Sequence, residues 1–293
     1  MRIFAIATVT ALMFATAPAT ASTFAPVTKT CPVGGQKFRF MAQMSSTSWG
    51  QLPDGMPLGT GPYPTMLPQC PRNGLVMYRD FDAAAVKHLA ALVAGADYQA
   101  LRATETPHYL AYWLAKQLGD TDQLAWLLMA ATWEAKNSGD ADPRAKRYAE
   151  EFVALIRAAP VSASNFESIA LRARSANALR ELGRFSEAET LRASIVVAPD
   201  AGGTDSDAAE NREGWTHFLT LLAAPIARSD PGRQPIDMLG EREAMFRCLR
   251  AANPQPDVER VVPLTPFETS FCARPEMIKA IAARQVVDDR MTP

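Results

Sequence analysis

The pattern of hydrophobic and polar positions changes character near residue 82. Residues 22–81 are rich in glycine, proline, serine and threonine, and only residues 37–41 and 75–78 form short β-compatible apolar runs. From Asp82 onward, apolar residues recur at intervals of three and four, which predicts amphipathic helices. The chain is therefore expected to be mainly α, with a small N-terminal β/loop lobe.

Polar residues at helix ends sharpen this expectation. Asp82 is a good N-cap for a helix over residues 83–94, which Gly95 would end. Two capping boxes, Ser164 with Glu167 and Ser186 with Glu189, each predict the start of another helix. Further helices are expected around residues 110–118, 124–131, 148–156, 213–223, 238–252 and 276–287.

Some of these helices are joined by tight glycine turns, Leu118-Gly119-Asp120 and Leu182-Gly183-Arg184. The second is similar to the turn of a tetratricopeptide repeat, in which glycine ends the first helix. Ala188 then stands where a small residue lets the second helix pack closely. The sequence has no clean 34-residue period, so we expect degenerate helical hairpins rather than a regular array.

One segment, residues 44–69, contains five prolines and four glycines. It is predicted to be neither helix nor central strand, but a long loop. Long loops in compact domains are often functional or mobile. Trp49, Tyr63 and the methionines at 44, 56 and 66 either pack this loop onto the helices, the favoured interpretation, or form a surface that binds a ligand or partner.

Residues 1–21 have the pattern of a signal peptide. Arg2 is followed by an uncharged apolar run and by the small-x-small motif Ala19-Thr20-Ala21, so we expect cleavage after Ala21 and a periplasmic or secreted protein. No later stretch is apolar enough to predict a membrane span in the mature chain. The predicted domains are the lobe over residues 22–81, helical hairpins over 82–198 and a C-terminal helical extension over 199–293.

The charge balance excludes one class of partner. Without Arg2, 29 basic residues face 31 acidic residues, a net charge of about −2. Nucleic acid is not an expected partner, because phosphate binding needs a concentrated basic surface. The densest basic spot, Arg144, Lys146 and Arg147, lies near Glu150 and Glu151 and is interpreted as a solvated helix face.

Two cysteines begin unusual motifs. Cys31-Pro-Val-Gly-Gly and Cys70-Pro-Arg-Asn-Gly each look like a C-P-x-C-G zinc knuckle that lacks its second cysteine. Two knuckles followed by tetratricopeptide-like helices resemble a bacterial family of unknown function, DUF2225. Gly34 and Asn73 stand where that family has its second cysteines. Two cysteines are too few for a closed structural zinc site, so a zinc-ribbon-like lobe without metal is expected.

The resemblance implies a pairing of the cysteines. If the knuckle backbone is retained, Cys31 and Cys70 converge and would bond in an oxidising compartment. Closing this loop would contribute about 3–4 kcal/mol to stability. Cys248 and Cys272 would form the second disulfide. Four cysteines allow three pairings, and a copper or zinc site of two cysteines and a histidine is the alternative.

No catalytic, cofactor-binding or metal-binding residues are predicted. His88, within a helix, is expected to be partly buried; His108 begins a helix, and His217 lies near Trp215. None of the three has metal-ligand spacing, and no nucleophile or nucleotide motif occurs.

Three functions stay open at this stage. The leading one is a non-enzymatic exported scaffold, whose stacked helical hairpins form a groove for a protein or peptide partner, with the lobe capping one end. The first alternative is a cell-envelope hydrolase whose site is assembled from His108, Glu105 and the 44–69 loop. The second is a metal-handling protein that uses the cysteines.

Overall fold

The computed structural model describes residues 22–139, 142–252 and 263–291, so the predicted signal peptide lies outside the described residues. Within them the chain is mainly helical, with eleven α-helices and a small β lobe at the N-terminal end. This is the predicted fold class. None of the described helices combines the length and the apolarity that a bilayer crossing needs.

The β lobe consists of two antiparallel hairpins. Strands β1 (Thr23–Thr30) and β2 (Lys37–Ser45) pair from Thr30↔Lys37 to Thr23↔Ser45. Strands β3 (Ser48–Gln51) and β4 (Pro57–Gly59) form a smaller hairpin. The prediction of an unbroken loop over residues 44–69 is therefore wrong for its first half. Proline is tolerated there because β4 is an edge strand and begins with Pro57.

The helices fall into two groups. From α3 to α8 each helix packs against the next, and the last three helices pack together with a short 3-10 turn at Ile236–Met238. Helices α2 and α10 are not among those predicted from the sequence. The helices are α1 (Ala83–Ala94), α2 (Ala96–Thr104), α3 (Pro107–Leu118), α4 (Thr121–Ser138), α5 (Pro143–Ala158), α6 (Phe166–Glu181), α7 (Phe185–Ser194), α8 (Ala208–Ala227), α9 (Glu241–Ala252), α10 (Pro266–Cys272) and α11 (Pro275–Met291).

The two predicted glycine turns have the same geometry. Gly119 and Gly183 have φ values of 75° and 74°, the left-handed region that favours glycine. In each turn the next residue donates its N–H five residues back, Asp120 to Ala115 and Arg184 to Leu179, as in a Schellman motif. Ala188 is fully buried. The helical hairpins therefore form where the sequence predicts them.

The helix caps give a mixed result. Asp82 caps α1 as predicted, because its side chain accepts the N–H of Ala85 at 2.7 Å. The capping box at Ser164 is wrong by one residue. The hydroxyl of Ser164 donates to Asp200, so the side chain of Asn165 caps α6 by accepting the N–H of Ser168.

The capping box at Ser186 is also wrong. The glycine turn leaves only Arg184 before α7, which begins at Phe185, so Ser186 already lies inside the first turn of the helix. Glu189 forms an ion pair with Arg192, three residues further along the helix, instead of capping it.

The lobe and the helices share one hydrophobic core. Cys31, Cys70, Leu75 and Val76 are buried in the same cluster as the apolar faces of α1–α5. A second cluster joins α5–α8, and a third holds α9–α11 together. Core residues of the lobe thus hold it against the helical body. The position of the β3–β4 hairpin relative to the helices follows from this packing.

Candidate binding groove

The tip of the β3–β4 hairpin enters the groove formed by α4, α5 and α6. Leu52, Pro53 and Asp54 are buried, Leu52 to 1% exposure. A compact turn holds the tip in shape. Gly55 donates to the carbonyl of Leu52 and has a φ of 88°, and Leu52 donates to the carbonyl of Met56. Proline, aspartate and glycine in this order favour such a turn.

Asp54 carries its carboxylate into a buried cluster of charges. Its Oδ2 lies 2.7 Å from the ammonium of Lys136 on α4 and 3.7 Å from Nε of Arg233. Burial alone would raise the pKa of Asp54. The positive charges of Lys136 and Arg233, with hydrogen bonds from Lys136 and the N–H of Met56, outweigh burial and hold that pKa below its usual value.

Lys136 is shared between two carboxylates. Besides Asp54, it contacts Oε2 of Glu181 on α6 at 2.6 Å. Burial would lower the pKa of Lys136, but the negative charges of Glu181 and Asp54 raise it above its usual value. The ammonium therefore stays charged and ties the hairpin tip to both α4 and α6.

Side chains of the groove also bind the backbone of the hairpin. Arg174 on α6 donates to the carbonyl of Pro53 at 2.7 Å and to the side chain of Gln51 at 3.0 Å. Trp133 donates its indole N–H to the carbonyl of Asp54 at 3.3 Å. Two side chains of the groove thus bind main-chain carbonyls of the turn and do not depend on its side chains for these contacts.

The guanidinium of Arg174 lies deep in the groove, 5.2 Å from the ring centre of Trp215 and 4.6 Å from that of Phe218, both on α8. Burial lowers the pKa of Arg174 to about 10, although the negative charge of Asp54 acts in the opposite direction. The aromatic rings and the hairpin carbonyls together hold a cation that water no longer solvates.

The hairpin fills this part of the groove. Only about 20 Å³ of space remains between Asp54 and the helices, about enough for a single water molecule. The groove of stacked helices that the sequence predicts is therefore occupied here by the chain's own residues. The large apolar side chains of residues 44–69 differ in their surroundings. Met56 contacts Arg233, whereas Trp49, Met44 and Met66 are exposed.

The groove continues past the hairpin as an open cavity of about 540 Å³. Lys136 and Glu181 line both the filled and the open part. Lys146 lies at the open side, and Leu182 and Pro231 supply apolar surface. Arg233 closes one side, on a segment fixed by fully buried Arg180, which donates to the carbonyls of Asp230 and Gly232.

The basic spot on α5 is only partly the solvated face that was predicted. Arg144 and Arg147 reach the junction between α2 and α3, where Arg144 donates to the carbonyl of Thr104 and Arg147 pairs with Glu105. Lys146 is exposed. Tertiary contacts to a distant helix junction, which single-helix periodicity does not report, account for the difference.

The two knuckle motifs adopt matching turns. Cys31 donates its N–H to the carbonyl of Gln36, and Cys70 donates to that of Leu75, both at 2.9 Å. Asn73, at one missing-cysteine position, donates from its side chain to the carbonyl of Val33 in the other knuckle. A hydrogen bond between the knuckles thus stands where the motif would have a metal ligand.

Both predicted cysteine pairs are bonded, Cys31 with Cys70 and Cys248 with Cys272, each with 5.7 Å between the Cα atoms. All four sulfurs are used, so no thiolate is left for a metal in this state. Within the described residues, no group of three or more His, Cys, Asp or Glu side chains has the arrangement of a metal site.

The histidines lie on three different helices. His88 on α1 is exposed rather than partly buried, because its helix turns that side to solvent, and His217 on α8 is also exposed. His108 is buried at the start of α3. Its Nδ1 lies 2.7 Å from Glu134 without the alignment of a hydrogen bond, while the backbone N–H of His108 donates to that carboxylate at 2.9 Å.

The residues suggested for a hydrolase are brought only partly together. Glu105, Glu134 and residues 62–64 line one shallow cavity of about 420 Å³. The carboxylate of Glu105, however, accepts hydrogen bonds from Tyr148 and Arg147, and Glu134 holds the start of α3. Both carboxylates thus have structural partners, and Glu134 rather than Glu105 contacts His108.

Comparisons of the chain with protein-family models, with curated proteins and with solved structures found no match. The resemblance to DUF2225 therefore stays a prediction. Any statement about function rests on the groove, the lobe and their surfaces.

Proposed function

We propose that this protein is an exported, non-enzymatic scaffold whose helical groove binds a segment of a protein or peptide partner. One observation carries the proposal: the groove already holds a segment of polypeptide, the turn of its own hairpin, through side chains that bind backbone carbonyls and a carboxylate. The same groove continues into an open cavity of about 540 Å³, which is large enough for several further side chains.

The partner segment would lie in the open cavity rather than replace the hairpin. Displacing the tip would leave Arg174 buried without the carbonyl of Pro53 and would take from Lys136 one of its two carboxylates, and losing a partner of a buried charge costs several kcal/mol. The cavity offers Lys146 for an acidic group and Leu182 for an apolar side chain.

Export is part of the proposal. The two disulfides fit a chain that folds in an oxidising compartment. The signal-peptide pattern of residues 1–21 extends this to the periplasm or the exterior of the cell, with cleavage after Ala21. N-terminal sequencing of the protein recovered from fractionated cells tests it, and a mature protein that still begins at Met1 would refute it.

Site-specific photo-cross-linking tests the binding site. A photoreactive amino acid at Lys146, on the open cavity, is expected to capture a partner from an envelope extract of the source cells. The matched control carries it at Lys87, an exposed lysine on α1. A third variant, Ala145→Trp with the cross-linker at Lys146, fills the cavity and should abolish capture. Equal capture from both positions, or none, would contradict the proposed site.

A further inference from the structure

The charge of the chain is divided unevenly between the lobe and the helices. The lobe, residues 22–81, carries five basic residues and two acidic residues, and one of the acidic residues, Asp54, is buried against Lys136. Residues 82–293 carry 24 basic and 29 acidic residues. The near-neutral total therefore conceals a cationic lobe on an acidic body, an asymmetry that favours association with an anionic surface.

The β1–β2 ribbon has two different faces. Phe38 and Phe40 of β2 lie half-buried on one face, together with Ala25 and Val27 of β1 across the ribbon. Residues on the opposite face are exposed, except Gln43, which pairs with Phe24 and is half-buried. The exposed residues are Phe24, Pro26, Thr28, Thr30, Lys37, Arg39 and Met41.

The composition of the exposed face is unusual. The solvent face of an antiparallel sheet is normally polar, but here Phe24 and Met41 are 40% and 48% exposed. Register places these apolar side chains toward one end of the ribbon, and Lys37 and Arg39 toward the other. The face is therefore amphipathic along its length, which is about 25 Å for eight residues.

The cations of this face are available to a ligand. Among the residues that the structure describes, neither the ammonium of Lys37 nor the guanidinium of Arg39 has a hydrogen-bond or ion-pair partner. Pairing of this face with the same face of a second copy is unfavourable, because the second ribbon would bring the same positive charge and no acidic residue.

We propose that the exposed face of the β1–β2 ribbon docks on a membrane surface that contains anionic phospholipid. Lys37 and Arg39 would lie near the headgroup phosphates, and Phe24 and Met41 would enter the interfacial region. A bilayer fits better than an acidic protein, since the face is an open ribbon on which apolar and cationic residues are segregated. Such a surface gains binding energy from an interface without shape complementarity.

Vesicle co-sedimentation tests the proposal with the mature chain, residues 22–293. Binding is expected to vesicles of phosphatidylglycerol and phosphatidylcholine, and not to vesicles of phosphatidylcholine alone. It should weaken as salt is raised, because the attraction between exposed charges is screened. Equal binding to both vesicle types, or binding to neither, would overturn the proposal.

The variant Lys37→Gln/Arg39→Gln should lower the partition coefficient about 25-fold, since one basic residue near an anionic surface contributes about a factor of five. The matched control, Lys87→Gln/Lys116→Gln, removes the same charge from exposed positions on α1 and α3 and should bind like the unmodified protein. If both double variants lose binding equally, the attraction comes from net charge alone and the ribbon is not the docking face.

A second pair of substitutions separates the apolar contribution from the charges. Phe24→Thr/Met41→Thr keeps every charge and should lower vesicle binding at all salt concentrations, with an unchanged circular dichroism spectrum. Unaltered binding of this variant would contradict insertion of the apolar end. Retention of the protein on polyglutamate but not on anionic vesicles would assign the face to an acidic protein and overturn membrane docking.

Discussion

Asp54 keeps its negative charge in the protein interior because two basic side chains, Lys136 and Arg233, face it across the hairpin tip. Glu181 then balances Lys136 from α6, so no member of the cluster stands alone. A buried cluster of this kind is strongly sensitive to the loss of one partner, whereas the same residues on the surface would contribute little.

Replacing the carboxylate tests this dependence. Asp54→Asn should lower the free energy of unfolding by about 2–3 kcal/mol, less than the roughly 3–5 kcal/mol of an uncompensated buried charge, because Lys136 loses one of its two counter-charges but keeps Glu181. Urea denaturation followed by circular dichroism measures the change. The control Asp97→Asn, at an exposed position on α2, should stay within about 0.5 kcal/mol of the unmodified protein. A similar small change for Asp54→Asn would contradict the assigned role of the cluster.

The same residue predicts a pH dependence. The pKa of Asp54 is lower in the folded chain than its ordinary value of 3.8. Its contribution to stability is therefore fully present above pH 3.8 and is lost as the pH falls through the lower, folded-state pKa. Asp54→Asn cannot lose this contribution, so the difference in stability between the two proteins should narrow in acid. A constant difference from pH 7 to pH 2 would contradict the assignment.

At the scale of elements, the turns between helices are fixed by local backbone geometry. Gly119 and Gly183 adopt left-handed conformations, and a Cβ at either position would meet open space. The cost of a side chain there is therefore conformational and not a steric clash with another element. The same reasoning identifies a glycine that gains from substitution, Gly214, which lies exposed within α8 at ordinary helical angles.

Substitutions at these two kinds of glycine should thus change the stability of the protein in opposite directions. Gly119→Ala is expected to destabilise the protein by about 1 kcal/mol, because alanine is disfavoured in the left-handed region. Gly214→Ala should stabilise it by up to about 1 kcal/mol, because alanine has the higher helix propensity. Thermal or urea unfolding of both variants distinguishes them, and changes of the same sign would refute the assignment of the turn.

At the start of α6, two adjacent residues are expected to differ in their contribution to stability. Asn165→Ala removes the side chain that caps the helix and should cost about 1 kcal/mol. Ser164→Ala removes only an exposed hydrogen bond to Asp200 and should cost less than half as much. A larger loss of stability for Ser164→Ala than for Asn165→Ala would support the capping box that the sequence predicts.

At the scale of the whole molecule, the disulfides close two different parts of the structure. Cys31–Cys70 lies in the core that joins the lobe to α1–α5, whereas Cys248–Cys272 lies in the separate cluster of α9–α11. The two disulfides close loops of similar length. Each disulfide should therefore contribute about 3–4 kcal/mol to stability by restricting the unfolded state. Removing one disulfide or the other should nevertheless destabilise different parts of the molecule.

Hydrogen exchange can locate these consequences. In Cys31→Ser/Cys70→Ser, amides of α1–α5 should exchange faster together with the lobe, since they share one core. In Cys248→Ser/Cys272→Ser, faster exchange should be confined to α9–α11. If removal of the first disulfide accelerated exchange only in residues 22–81, the lobe would be an independent unit and the shared core would not couple it to the helices.

The sequence alone determined the features whose cause is local. Asp82 and the glycines at 95, 119 and 183 set helix ends because capping and left-handed geometry depend on a few neighbouring residues. The mainly helical class and the glycine turns follow from the same periodicity and turn chemistry. The predictions of helix caps at Ser164 and Ser186 were wrong. Asn165 caps α6 in place of Ser164, and the turn at Gly183 starts α7 before Ser186.

Only the tertiary structure decided what fills the groove. Nothing in the periodicity of α4 and α6 indicates that Lys136 and Arg174 bind a hairpin about 80 and 120 residues earlier in the chain. Such contacts depend on the summed placement of many elements, and polar residues at helix positions look the same whether they meet solvent or a buried carboxylate. The sequence predicted only a loop at residues 53–55, and the position of the Pro-Asp-Gly turn in the groove was set by packing, because the shared core holds the lobe against the helices.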